Sequence, residues 1–412
     1  MEKTSGNRWL VAVGTIIAQI GLGTIYTWSL FNQPLANKFE TNISDVSITF
    51  SIMSLALAVA AMFGDALEKK LGIRKLTTIA AVLLSVGLIG TAFAPTLSLV
   101  YVLAGVLVGA ADGVAYLTCL SNCIKWFPDK KGVIAGLCVG AYGIGSLLFK
   151  TVYGLFLANL NVSMAFLCWG ILTLVMIGLG AQLLKDAPVV AHAVIQEAAG
   201  AREYSIKEML CTKEAYMLFV ILFTACMGGL YLIGIVKDLS QQVAGMSIAD
   251  AANVVALVAL FNTAGRLVLG SLSDHIGRLT VLLITMALTT ACVFTLGFIP
   301  TNGIFFIACV GLVAFCFGGN LTVFPAIVGE AFGVNRQTSN YGVIYLGFGF
   351  GAVSASAIAA LTGSFIMPFK IIGALAIISF LFAAYMMSTT GHAKKQTVPF
   401  DPRAAHVADS AK

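Results

Sequence analysis

Arg266 is the lone charge in residues 252–272, a stretch otherwise uncharged and long enough to cross a bilayer. A guanidinium does not shed its proton in a protein. At bilayer depth a charge costs roughly 3 kcal/mol or more, so it must face a protein interior or a water-filled cavity. An obligate cation in an internal cavity is a natural counter-ion for an anion. Asn262 lies one turn earlier on the same helix face and can orient it. Asp112 is the second candidate, mid-helix and one turn before Tyr116. A carboxyl in that setting is more easily kept neutral than charged, which makes it a candidate to take up a proton. Alternatives stay open for both: the arginine can pair with Asp112 or reach past Asp274 toward the membrane surface, and Asp112 can serve as a structural partner.

Other chemistries find little footing. The nine Cys lie mostly inside apolar segments, and Cys119 and Cys123 share a helix face with no further ligand nearby, which fits packing. His192, His275, His392 and His406 fall in loops or tails without zinc-ligand spacing. No Gly-rich phosphate loop or nucleophile elbow appears, so neither an enzyme, a cofactor nor an ATP-driven pump is expected.

The chain has 412 residues, 59% hydrophobic and 10% charged. A soluble domain carries about 25% charge, so this supply cannot build a soluble surface; a polytopic, all-α membrane protein is expected. The 42 Gly suit close helix contact in lipid. The net charge of +6 does not point to nucleic acid, because the basic residues sit in short loops. The first apolar run, after Arg8, is too long for a signal-peptide core and reads as a retained helix.

Apolar spans place twelve helices at about 8–31, 44–67, 74–94, 97–123, 132–157, 163–184, 214–236, 249–272, 278–298, 302–327, 338–361 and 365–388. Asn42 with Asp45, and Ser247 with Asp250, read as starts of the second and eighth. With the N-terminus cytoplasmic, that side holds Lys3, Arg8, Lys69, Lys70, Arg74, Lys75, Lys125, Lys130, Lys131 and Arg278 among others, and the outer loops only Lys38, Lys237 and Lys370. The imbalance predicts both termini inside, in the cell's inner membrane. Four segments follow: a six-helix bundle 1–184, a polar cytoplasmic linker 185–213 acting as a tether, a second bundle 214–388, and a tail 389–412.

The two bundles repeat at an offset near 205. Gly64 to Arg74 parallels Gly270 to Arg278, each after the second helix of its half. Gly23-Thr-Ile-Tyr26 parallels Gly229-Leu-Tyr231, and the loop 127–132 parallels 332–336. Twelve helices in two similar halves suit a transporter that rocks around a central site. The loops resemble the Gly-x-x-x-Asp-x-x-Gly-Arg signature of the major facilitator superfamily. Gly270, Asp274, Gly277 and Arg278 match it; in the first half Gly64, Gly72 and Arg74 match, Lys69 stands where the acid is expected, and Glu68 is beside it. The resemblance implies two pseudo-symmetric bundles, one cavity and alternating access gated by these loops.

Further segments, 23–31, 122–132, 140–145, 262–266 and 340–345, resemble the oxalate/formate antiporter and bacterial monocarboxylate-transporter branch. In that branch a cavity arginine matching Arg266 grips a carboxylate, and aromatic residues matching Tyr26, Tyr116, Tyr142, Phe317 and Tyr345 wall the anion. Where the oxalate exchanger has a second cation, this chain has Phe348. An apolar residue cannot balance a second carboxylate, so the expected cargo is a small monocarboxylate such as lactate or pyruvate. Lys150 lies late in its helix and is expected at the outer interface. Tyr231 and Asn320 are weaker candidates. Proton symport through Asp112, by a monomer, is the expected mode, since a proton cancels the anion's charge; Asn262, where animal proton-coupled relatives carry an acid, cannot titrate. Carboxylate exchange of the oxalate/formate kind is the alternative, and a fluxless membrane sensor a more distant one.

Overall fold

The computed structural model describes residues 7–127, 131–187, 203–299, 303–333 and 336–396. Outside them lie most of the expected linker, with His192, most of the expected tail, with His406, and Lys3 and Lys130. Among the described residues twelve helices are long and apolar enough to cross a membrane. They are α1 Arg8–Leu30, α2 Ile43–Ala61, α3 Ile73–Ala92, α4 Leu97–Trp126, α5 Val133–Asn159, α6 Val162–Leu183, α7 Lys213–Gln242, α8 Ile248–Ile276, α9 Arg278–Phe298, α10 Gly303–Phe332, α11 Ser339–Thr362 and α12 Met367–Thr389. Their outward faces carry exposed Val86, Leu155, Leu179 and Leu381, the surface hydrocarbon would cover.

Several helices outrun their apolar spans. α7 continues to Gln242, α8 to Ile276, and α10 to Phe332 through Pro325. The hydrogen-bond ladder does not stop where hydropathy drops, so polar ends stay helical. The second helix is a correction in the other direction. It ends at Ala61, and a separate helix, Gly64–Leu71, carries Asp65, Glu68, Lys69 and Lys70. Its start is also capped differently from the expectation. Asn42 makes no side-chain cap bond, and the Thr41 hydroxyl reaches the Asp45 carboxylate instead, at 3.0 Å. Ser247 does cap α8: its Oγ accepts the Asp250 N–H at 3.1 Å and donates to the Asp250 carboxylate at 2.7 Å.

Both described ends of the expected linker are pinned to helices. Asp186 accepts the N–H of Ile73 at 2.8 Å, at the start of α3. Tyr204 donates its N–H to the Phe332 carbonyl at 2.9 Å and accepts from the Asn340 amide at 3.0 Å.

Glycines bring the helices that hold the site into backbone contact. A Cβ on Gly113 of α4 would stand 2.1 Å from the Leu57 carbonyl oxygen of α2. A Cβ on Gly318 of α10 would stand 2.0 Å from the Asn262 carbonyl oxygen of α8. These two contacts are the same contact, since 113 maps to 318 and 57 to 262 at the offset read from the sequence. Small residues at such crossings are what helix association in lipid requires.

α1 through α6 meet α7 through α12 along several helix pairs, of which three contacts illustrate the join. Asn32, just beyond α1, donates to the Gly234 carbonyl and the Asp238 carboxylate of α7, both at 2.9 Å. Ser51 of α2 donates to Ser356 of α11. α5 packs along α8, with Gly143 against Thr263.

Adding one methyl at the α2–α4 crossing should force the backbones apart. Gly113→Ala is expected to destabilise the protein by about 1–3 kcal/mol, the usual penalty of overpacking. Gly136→Ala, whose Cβ would meet nothing within 4 Å, should not. Thermal unfolding of the two purified variants in detergent checks this; equal midpoints would contradict the close approach.

Candidate functional site

α8 carries Asn262 and Arg266 one turn apart, and Arg266 is 1% exposed. Its Nε donates to the Asn262 side-chain oxygen at 3.2 Å, and Nη1 to the Val139 carbonyl of α5 at 2.7 Å. Nη2 reaches the Tyr26 hydroxyl of α1 at 3.5 Å, the longest of the three. The guanidinium carbon also lies 5.8 Å from the Tyr26 ring centre and 5.6 Å from that of Tyr142, within cation–π range. Asn262 is itself fixed by donating to the Ala314 carbonyl at 3.1 Å.

A guanidinium has five N–H donors. Three are accounted for by these bonds, which leaves two without an acceptor among the described residues. No carboxylate of a described residue lies within 4.0 Å of it. Arg266 is thus neither paired with Asp112 nor, at 1% exposure and held by Val139 and Tyr26, reaching past Asp274. Asp112 accepts the Tyr142 hydroxyl at 2.6 Å, and Asp274 faces Arg278 at 3.6 Å. The result is a buried cation held in place by neutral groups, with donors to spare.

Asp112 is fully buried on α4, and its second oxygen, Oδ1, has no hydrogen-bond partner. Tyr142 stands between acid and cation: its hydroxyl goes to Asp112 and its ring faces Arg266. The Tyr142 ring also packs edge-on against Tyr26 at 5.3 Å and Tyr116 at 4.8 Å. Tyr345 stacks on Phe348 at 4.8 Å, and Phe348 lies 6.4 Å from Phe317 in a parallel arrangement. Phe317 presses against the α7 backbone at Gly229, where a Cβ would come within 2.2 Å of its ring. The helical run of α11 is interrupted at Tyr345, yet Tyr341 and Tyr345 remain neighbours at 5.3 Å.

The weaker candidates point elsewhere. Tyr231 donates to the Phe365 carbonyl at 3.1 Å and packs on Phe369. Asn320 accepts from Thr285 of α9 at 2.7 Å. Lys150 bonds Asn253 at 3.0 Å, far along α5 from Val139, so it adds no second cation beside Arg266. Four participants escaped sequence reasoning. The Val139 carbonyl has no side-chain signature. Gln19, buried on α1, donates to the Tyr116 carbonyl at 3.0 Å. Asn32 and Asp238 sit at span edges, where polar residues read as loop; only an i, i+4 helical reading continued past Val236 would have kept Asp238 inside α7.

The two signature loops share their geometry. A Cβ on Gly64 would meet Thr118 at 2.8 Å, and one on Gly270 would meet Thr322 at 2.8 Å. Gly72 and Gly277 both turn the chain at positive φ, 75° and 92°, a region that favours glycine. Arg278 bonds Glu330 and lies near Asp274; Arg74 instead donates to the Leu184 carbonyl at 3.2 Å. The acid of the first loop is corrected here. Lys69 pairs with Asp65, and Glu68, one turn after Gly64, faces Lys125 of α4 at 3.7 Å. The first loop has one residue more from Gly64 to Gly72 than the second has from Gly270 to Gly277, and that residue falls after Glu68. Burial pushes the Glu68 carboxyl above its ordinary range, with Lys125 pulling against it.

Comparison with known proteins fits this architecture. The family model described as Major Facilitator Superfamily matches residues 11–300 and 217–410. The chain is 43% identical over 350 residues to YhjX of Escherichia coli K12, an uncharacterized MFS-type transporter, covering 84% of this chain and 86% of that one. It is 27% identical to the oxalate:formate antiporter of Oxalobacter formigenes, over 96% of each chain. In fold it matches a partially occluded inward-open xylose transporter, XylE of Escherichia coli, with a TM-score of 0.67 at 14% identity, over 91% of this chain and 98% of that one. A twelve-helix bundle with paired glycine crossings, two signature loops and a family match along nearly its whole length belongs to the major facilitator superfamily.

Proposed function

We propose that the protein is a secondary active transporter of small monocarboxylates, working by alternating access with proton symport. The observation that carries this reading is the buried Arg266 guanidinium with two donors that no described residue accepts and no described acid paired with it. A carboxylate presents two oxygens in the geometry a guanidinium fork accepts. The Tyr26 contact, at 3.5 Å the weakest of the three, is the one an incoming oxygen would replace. Phe348 within the ring stack, in place of a second cation, supports a single negative charge on the cargo. The carboxylates in the name of the 27%-identical antiporter support the chemical class.

Asp112 is our choice for the proton. Moving one charge against 100 mV is opposed by about 2.3 kcal/mol, and a co-transported proton removes that term. Asp112 is buried, has an oxygen free, and touches the cation's environment through Tyr142. We place both termini on the cytoplasmic side of the inner membrane, from the loop charges, and assign the signature loops to the gate on that side.

Arg266→Lys keeps the charge but not the fork. It should weaken carboxylate transport by about ten- to a hundredfold in apparent affinity, the loss of one charge-assisted hydrogen bond, and Arg266→Ala should abolish it. The measurement is uptake of labelled L-lactate, pyruvate and oxalate into proteoliposomes; wild-type affinity in the alanine variant would sink the reading, and so would preference for oxalate.

Asp112→Asn should abolish uptake driven by an acidic exterior while leaving counterflow between preloaded vesicles and medium. Full pH-driven uptake in that variant would move the proton elsewhere. Uptake that needs internal counter-anion and ignores the pH gradient in the wild type would favour exchange.

A further inference from the structure

A small crevice of about 10 Å³, room for roughly one water-sized group, lies between α1, α5, α7 and α8. At one end it is lined by Tyr26 and Asn262, the two side chains that hold Arg266. Its walls are otherwise apolar: Ile233 and Val236 from α7, and Val255, Val258 and Ala259 from α8. The remaining liner is Ser146 of α5, whose hydroxyl donates to the Gly143 carbonyl at 3.1 Å. None of these liners carries a charge.

The α8 liners form a stripe with the cation. Positions 255, 259, 262 and 266 recur at helical spacing and lie on one face. Val258 lies beside that stripe, four residues from Asn262, or about 6 Å along the axis. A carboxylate bonded at Arg266 in place of the Tyr26 hydroxyl therefore has a small space nearby, next to Tyr26 and Asn262, and that space has mostly apolar walls. A second carboxylate placed there would meet no counter-charge. An alkyl chain would meet the surface that favours it.

We propose that this crevice receives the substrate's non-carboxylate end and that Val258, with Val255, sets the longest chain accepted. The natural cargo is then a short aliphatic monocarboxylate whose tail points along α8 away from Arg266. The proposal rests on the carboxylate reading of Arg266 and adds to it a direction and a length limit.

The test uses binding rather than transport. Thermal stabilisation of the full-length purified protein is measured with acetate, propionate, butyrate, pentanoate and hexanoate, for the wild type, Val258→Ala, Val258→Leu and Val255→Ala. Ligand-free melting of each variant checks that it folds, and Val255→Ala gives an independent wall should a Val258 variant fail. Wild-type affinity should rise by up to about fourfold per methylene, as expected for burying each CH2, and then fall at a limiting length. Val258→Ala or Val255→Ala should move that limit to longer acids, and Val258→Leu to shorter ones. If the acids bind but every variant keeps the wild-type length ranking, the crevice is not the tail site, and the carboxylate reading survives. If no acid of any length stabilises the wild type, both readings fall together.

Discussion

The structure is organised around a cation that cannot be neutralised and is denied an anion of its own. Arg266 is buried at the place where α8 meets α5 and α1. Burying a charge without hydrogen bonds is prohibitive, so its position dictates what surrounds it. A backbone carbonyl from α5, an amide oxygen one turn away on α8 and a phenol from α1 each take one donor. Two of those groups belong to helices of the first six, so the cation also ties the two sets of six helices together. Neutral acceptors hold the guanidinium in place while leaving its charge unbalanced. An intramolecular carboxylate would have satisfied it permanently and left nothing for a ligand to do.

Asp112 shows how the molecule keeps an acid near a cation without joining them. The acid and the cation are both buried, and a direct ion pair between them would be the obvious outcome. Tyr142 prevents it. Its hydroxyl binds the carboxyl and its ring face lies toward the guanidinium, so one side chain answers both groups with different parts of itself. A phenol is suited to this: it donates a hydrogen bond at its tip and offers a negative π face at its side. Tyr26 and Tyr116, packed edge-on against Tyr142, fix its orientation. The aromatic cluster thus insulates as well as walls the site.

Much of this was legible in the sequence, for physical reasons. Hydrophobic runs gave all twelve helices because a bilayer admits few other solutions. Arg266 stood out because charge is rare at that depth, and the aromatic candidates, though ordinary core residues one by one, share a matched family pattern. What was hidden depended on the backbone or on register. Val139 contributes through its carbonyl, which any residue could supply. Glu68, not Lys69, meets Lys125 because the extra residue sits between the acid and Gly72, and a linear count cannot tell on which side of the acid it falls. Asn32 and Asp238 were lost because helices run past the apolar spans that announce them.

The repeat separates what is shared from what is singular. The glycine of α4 against Leu57 and the glycine of α10 against Asn262 are one packing solution used twice, as are Gly64 with Thr118 and Gly270 with Thr322. At the same offset Arg266 corresponds to Ala61, and Asp112 corresponds to Phe317. The contacts that set helix spacing are thus duplicated, and the residues that carry charge are not. The two sets of six helices are thus packed alike. A charge placed in only one of them gives the cavity between them a polarity, with the acid contributed by α4 and the cation by α8. On the carboxylate reading we propose, an entering anion would be held by α8 and by neutral groups of α1 and α5 together, so its binding energy would be available to draw the two sets toward each other.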